Sequence, residues 1–206
     1  SGRLNEQETI KQIKENENLQ KLLERKPKYI VNNEVTQEKQ QVTENIVEES
    51  MQITQGKLVI GLSIQAAQEN SRFIASVYNS ILGGGANSKL FQNVREKQSL
   101  AYTAGSSYLR PKNSIFIRCG IEIANYQKAL DTIKQQLKDM ENGEFSEEDL
   151  DNAKRLIIAS VDAITEEQDT EITYYYGQEL SDRFVSIEDY KKAILNTTKE
   201  DIVELA

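Results

Sequence analysis

The chain has 206 residues, of which 38% are hydrophobic and 28% charged, and its net charge at pH 7 is −8. This length can bury a hydrophobic core, the acidic balance argues against nucleic-acid binding, and no apolar run approaches the roughly 20 residues of a membrane span. The sequence has no histidine, which excludes an imidazole base or metal ligand, and its single cysteine excludes an intrachain disulfide. Because Cys119 lies in an apolar strand pattern, we expect it to be a buried, unreactive thiol.

The first third of the chain predicts one helix followed by two strands. A charged helix covers Leu4–Glu24, with Asn5 as its N-cap and Pro27 ending it. The imperfect alternation of Val42–Ile53 predicts a strand, and the regular alternation of Leu58–Ile64 predicts a second strand that faces the core.

The central third predicts two helices and a hairpin. Apolar residues at helical spacing indicate a helix from Asn70 to Leu82, which the glycines 83–85 end, and a short helix follows over Ser88–Lys97. Strands then follow at Ala101–Arg110 and Ser114–Glu122, joined by a short connection that suits an antiparallel pair.

The last third of the chain is helical. Amphipathic patterns and capping residues predict helices that begin at or near Tyr126, Ser146, Glu171, Ser186 and Thr198. Strands followed by a run of helices indicate an α+β fold rather than alternating βαβ units. We therefore expect an antiparallel sheet of about four strands, with helices packed on one face in a two-layer arrangement.

Two candidate hydrogen-bond donors lie in the stretch from Ile81 to Tyr102. Arg95 lies near the end of a predicted helix and Tyr102 lies on the strand after it, so both could point toward one carbonyl or oxyanion. The same residues also have an ordinary structural interpretation. Three glycines after a helix typically form a C-cap and turn with positive φ, an arginine beside a glutamate is typically a solvated helix face, and a lone tyrosine is typically half-buried packing.

The full string ILGGGANSKLFQNVREKQSLAY closely resembles a signature in the C-terminal half-domain of the insulinase, pitrilysin and mitochondrial processing peptidase family of zinc peptidases. The resemblance implies the two-layer fold, and it implies that Arg95 and Tyr102 bind the substrate backbone opposite the zinc. It also implies that Gly83, Gly84 and Gly85 lie near the interior chamber, where glycines would let an extended peptide pass close to the backbone.

The same resemblance bears on metal and partners. These peptidases bind zinc through H-x-x-E-H in their N-terminal half-domain, and that motif is absent here, so we expect no metal in this chain and zinc in an N-terminal half-domain or a partner subunit. The expected partners are a peptide substrate, that half-domain and a homologous zinc-bearing subunit, without nucleic acid or membrane. We interpret residues 1–206 as a single, slightly truncated, cytoplasmic half-domain in which residues 1–2 are a cloning scar.

Several functions agree with this interpretation. The parent protein could carry its own H-x-x-E-H upstream, or it could be the zinc-free subunit of a heterodimer that supplies Arg95 and Tyr102 to a zinc-bearing partner. A third alternative is a non-catalytic scaffold of the same fold. A different class is an unrelated α+β interaction module, which predicts that Arg95 and Tyr102 face apart or that Tyr102 is buried.

Overall fold

The computed structural model describes residues 4–25, 46–49, 55–64, 70–180 and 184–206. The chain divides into two compact units, Ser1–Thr36 and Gln37–Ala206. The proposed cloning scar at residues 1–2, Pro27 and most of the predicted strand Val42–Ile53 lie outside the described residues.

The described residues of the first unit form two helices, α1 (Glu6–Glu15) and α2 (Glu17–Leu23). Asn5 caps α1 as predicted, since its side chain accepts a hydrogen bond from the Glu8 N–H at 3.2 Å. The prediction of one continuous helix was wrong at Asn16. That residue is extended (ψ 110°) and its side-chain oxygen accepts from the N–H groups of the first turn of α2, because asparagine competes with the helical backbone for hydrogen bonds.

Three antiparallel strands form the sheet of the second unit, as far as the described residues extend: β1 (Gly56–Ser63), β2 (Ala101–Leu109) and β3 (Ser114–Ile121). Their order is β1-β3-β2, so the hairpin strand β3 lies in the centre. All three strands lie where the sequence predicts them. Residues 46–49, the described part of the remaining predicted strand, are not in a strand.

Six α-helices, one π-helical turn and three short 3-10 helices complete the described part of the second unit. The turn covers Phe91–Glu96, and the helices are α3 (Ser71–Gly83), α4 (Tyr126–Glu141), α5 (Glu147–Asp162), α6 (Gln168–Leu180), α7 (Ile187–Asn196) and α8 (Lys199–Leu205). The side chains of Ser146, Ser186 and Thr198 cap α5, α7 and α8 as predicted, each accepting from the N–H of an aspartate three residues on.

The helices cover one face of the sheet. On β3 the alternate residues Ile115, Ile117, Cys119 and Ile121 are all buried, as the alternation predicts, while Arg118 between them is exposed. On β1, Leu58 is buried and Val59 is 55% exposed. The predicted two-layer α+β fold is therefore confirmed, with the core between the sheet and the helices.

Candidate functional site

The glycines 83–85 link α3 to the π-helical turn, and they differ in what surrounds them. A Cβ on Gly83 would lie 2.4 Å from the Ser106 nitrogen of β2, and a Cβ on Gly84 would lie 2.7 Å from Ser80 Cα. A Cβ on Gly85 would meet only Leu156 Cδ2, at 3.5 Å. Gly83 therefore allows the end of α3 to lie directly against the backbone of β2.

Positive φ does not explain this triplet, contrary to the sequence-based interpretation of its turn. Gly84 has a φ of −83°, and within the described residues Gly143 after α4 is the glycine with positive φ, at 70°. Gly83 and Gly84 need glycine because backbone atoms approach them closely, whereas Gly143 needs it for the left-handed conformation that ends α4.

The π-helical turn sets the path from the glycines to β2. The Ser88 hydroxyl donates to the Gly85 carbonyl at 2.6 Å, and the Lys97 N–H donates to the Gln92 carbonyl, five residues earlier, at 2.9 Å. The chain then reverses, and the Leu100 N–H donates to the Val94 carbonyl at 2.9 Å. Because Val94 and Leu100 are both buried, this reversal is anchored in the core and fixes the start of β2 relative to the turn.

Arg95 lies in this turn with its side chain 41% exposed. Its Nε is 3.7 Å from a carboxylate oxygen of Glu96, and its guanidinium carbon is 4.6 Å from the centre of the Phe91 ring. An exposed ion pair and a cation–π contact each contribute at most about 1 kcal/mol, so these contacts orient the guanidinium weakly and leave donors for another acceptor.

Tyr102 lies at a β-bulge in β2. The pairing of Ala101 with Ile121 is followed by that of Thr103 with Gly120, so Tyr102 is an extra residue without its own partner. Tyr102 is 52% exposed, and its hydroxyl donates to a carboxylate oxygen of Glu122 at 2.9 Å. This hydrogen bond to a carboxylate raises the pKa of Tyr102 above its usual value, so the phenol is a donor throughout the neutral pH range.

The two predicted donors contact different neighbours in this structure. Arg95 contacts Glu96 and Phe91, while Tyr102 contacts Glu122. Sequence reasoning missed Glu122, because it lies 20 residues from Tyr102 along the chain and the two meet only after β2 and β3 pair. A phenol has one proton, so Tyr102 can donate to another acceptor only when it leaves Glu122.

Cys119 and the three consecutive tyrosines of α6, residues 174–176, are explained by packing rather than by chemistry. Cys119 is buried, and burial raises the pKa of its thiol to about 11, as expected of an unreactive cysteine. Tyr174 and Tyr175 are half-buried while Tyr176 is 62% exposed, in agreement with the helical rotation of consecutive residues.

In the described ranges no helix is long and apolar enough to cross a membrane, and no group of three or more acidic, cysteine or histidine side chains could hold a metal ion.

The described residues thus form a sheet covered on one face by helices, with a glycine junction after α3 and an exposed tyrosine on β2. Residues 1–157 match the family described as Peptidase M16 inactive domain. The chain therefore belongs to the M16 peptidase family, that of insulinase, pitrilysin and the mitochondrial processing peptidase, as the inactive C-terminal domain of a zinc-protease-like protein.

Individual relatives agree with this assignment. The chain is 36% identical over 176 residues to "Probable inactive metalloprotease YmfF" of Bacillus subtilis, and the match covers 85% of this chain and 41% of that protein. A conserved protein from Enterococcus faecalis superposes with a TM-score of 0.69 at 27% identity, over 74% of this chain and 36% of that one. The peptidase M16 inactive domain from Pseudomonas fluorescens has the same fold, with a TM-score of 0.63 at 20% identity, over 73% and 37% of the two chains. The chain thus spans less than half the length of these relatives.

Proposed function

We propose that this chain is the zinc-free half of an M16 zinc peptidase, or of its zinc-free partner subunit, and that it closes a peptide-binding chamber opposite a zinc-bearing half. In this role Arg95 and Tyr102 donate hydrogen bonds to carbonyls of the peptide substrate. The observation that carries the proposal is the exposure of Tyr102 at a β-bulge, since bulges are frequent next to active sites and re-aim side chains there.

The chemistry of the two donors suits this role. Arg95 brings a permanent positive charge and a fork of N–H donors, and Tyr102 brings one neutral donor. Both could stabilise negative charge that develops on a substrate oxygen, which is where preformed donors accelerate acyl transfer most. A peptide carbonyl would replace Glu122 as the acceptor of the Tyr102 proton. The exposed backbone of Gly84 and Gly85 would let an extended peptide pass close to it, while Gly83 is buried against β2.

Zinc does not fit the residues of this chain. The sequence contains no histidine, and its single thiol is buried with a pKa of about 11, so the soft ligands that zinc prefers are missing. The metal belongs in this proposal to an N-terminal half-domain or a homologous subunit, and the lengths of YmfF and of the Enterococcus protein support a further domain in such proteins. The residues of this chain would act on the substrate as donors, and not as nucleophile or base.

The test is peptide hydrolysis by the full-length parent protein, alone and together with a zinc-bearing homologous subunit, using a library of quenched fluorescent peptides. Arg95→Ala and Tyr102→Phe should each lower turnover about 100-fold, because loss of one such donor costs about 3 kcal/mol of transition-state stabilisation. Both variants should keep the unfolding temperature of the wild type. Arg155→Ala on α5 and Tyr176→Phe on α6 are matched exposed controls and should keep full turnover. Unchanged turnover in both donor variants would refute the donor role.

A second candidate function is a non-catalytic scaffold of the same fold. The name of YmfF as a probable inactive metalloprotease favours it, as do the local contacts of Arg95 and Tyr102 with Glu96 and Glu122, which are compatible with a purely structural role. This function predicts that the full-length protein hydrolyses no peptide of the library, with or without a zinc-bearing subunit. Zinc content of the full-length protein separates a parent with its own metal motif from the zinc-free subunit of a heterodimer.

A further inference from the structure

The bulge at Tyr102 is held by a side chain as well as by the backbone. Opposite Tyr102 and Thr103, β3 offers a single residue, Gly120. The Gly120 N–H donates to Thr103 Oγ1 at 3.1 Å, so the threonine hydroxyl supplies an acceptor at the point where the regular ladder is interrupted. A β-strand N–H that loses its ladder partner needs such an acceptor.

Gly120, the donor of this hydrogen bond, has no side chain that would crowd the threonine hydroxyl. A Cβ at position 120 would lie 3.0 Å from Thr103 Oγ1, which is closer than side chains ordinarily approach. The hydrogen bond between the Gly120 N–H and Thr103 Oγ1 therefore needs the space that a side chain at position 120 would occupy. Thr103 itself is exposed and follows Tyr102 directly, so its side chain holds the bulge without touching the core.

Glu122 contacts the Tyr102 hydroxyl directly, and its removal would change both the orientation of the ring and the acceptor of its proton. The Thr103 hydroxyl bonds instead to the Gly120 N–H, so it acts on Tyr102 through the backbone of the bulge. A substitution at Thr103 consequently separates the placement of the phenol from its hydrogen bonding.

We propose that Thr103 is a positioning residue for Tyr102, because its hydroxyl fixes the β-bulge from which the phenol is presented to the peptide substrate. The inference rests on the donor role of Tyr102 given above. It assigns to Thr103 and Gly120 a functional requirement that neither residue's type nor its exposure predicts. Thr103→Val removes the acceptor at nearly constant shape, and Thr103→Ser keeps it.

The experiment measures peptide hydrolysis by the full-length protein, with its zinc-bearing subunit if it needs one, for both Thr103 variants in the wild-type and Tyr102→Phe backgrounds. Thr103→Val should lower kcat at least about tenfold, since a misplacement of about 1 Å at a reacting group can cost about 100-fold. Thr103→Ser should restore kcat to within about twofold of the wild type, because it rebuilds the same bond. In the Tyr102→Phe background Thr103→Val should cause no further loss, because it acts through the phenol.

The outcomes distinguish this inference from the function on which it rests. If Tyr102→Phe lowers kcat but Thr103→Val does not, or if Thr103→Val lowers kcat equally in both backgrounds, the positioning role is overturned and the donor role stands. If Tyr102→Phe has no effect, the donor role of Tyr102 fails and the positioning role of Thr103 fails with it. Should Thr103→Val not fold, Gly120→Ala tests the same bond, because its methyl would displace Thr103 Oγ1, and unchanged kcat in a folded Gly120→Ala protein overturns the inference.

Discussion

Single alanine substitutions test whether position 83 requires glycine because α3 packs directly against the backbone of β2. In Gly83→Ala the new methyl would lie 2.4 Å from the Ser106 nitrogen and 2.9 Å from the Gly105 carbonyl carbon, and these are backbone atoms that cannot rotate away. Overpacking of this kind costs about 1–3 kcal/mol, and because the obstacle is backbone we expect the upper part of that range. The better helix propensity of alanine offsets about 0.5–1 kcal/mol, which leaves a net destabilisation of about 2 kcal/mol.

Two other glycines serve as matched controls. A methyl on Gly85 would make one ordinary contact, at 3.5 Å from Leu156 Cδ2, so Gly85→Ala should change stability by less than about 0.5 kcal/mol. Among the described residues, a Cβ on Gly177 of α6 would meet no heavy atom outside its own helix backbone within 4 Å, so Gly177→Ala should stabilise by about 0.5–1 kcal/mol.

The assay is equilibrium unfolding of the chain in urea, with the midpoint compared at equal slope for the three variants and the wild type. The expected order of midpoints is Gly83→Ala lowest, Gly85→Ala at the wild-type value and Gly177→Ala highest. A Gly83→Ala protein as stable as the wild type, or a Gly85→Ala protein as unstable as Gly83→Ala, would refute the close approach of α3 to β2 as the reason for glycine.

Three further results are expected. Glu122→Ala should lower the pKa of Tyr102 toward its usual value, because it removes the hydrogen bond to the carboxylate. The Tyr102 signal is the difference in tyrosinate absorbance, at each pH, between a protein and its Tyr102→Phe variant, and an unshifted titration would contradict the bond. Burial raises the Cys119 pKa from 9.0 to about 11, so this thiol's stabilising effect is complete below pH 9 and is lost as the pH rises through about 11. The urea midpoint should therefore fall less in Cys119→Ala than in the wild type over that range, and an equal fall would exclude the thiol as its source. Asn113→Ala should destabilise about 1 kcal/mol more than Asn113→Gly, because both lose the side-chain bonds but only alanine is strained at a φ of 47°; equal urea midpoints would contradict this.

Local patterns predicted most of the fold. The helices over Ser71–Gly83, Tyr126–Glu141 and Ile187–Asn196 follow apolar residues at helical spacing, and the Ser186 cap of the last one is a hydrogen bond that spans three residues. The inward face of β3 follows from strict alternation. Such features are decided by neighbours along the chain, which is why sequence alone predicts them. The break at Asn16 was missed because an isolated asparagine is compatible with either a helix or a cap.

The sequence by itself determined which residues are candidates for the site: the glycine triplet, the arginine in the short helix and the tyrosine on the next strand. Only the tertiary structure decided which residues from other parts of the chain this stretch contacts. Gly83 meets Ser106, Tyr102 meets Glu122 and Thr103 meets Gly120, and each pair is separated by 17 residues or more along the chain. Register and bulges are set when strands pair and helices pack on them, so a pattern read along one strand does not contain them.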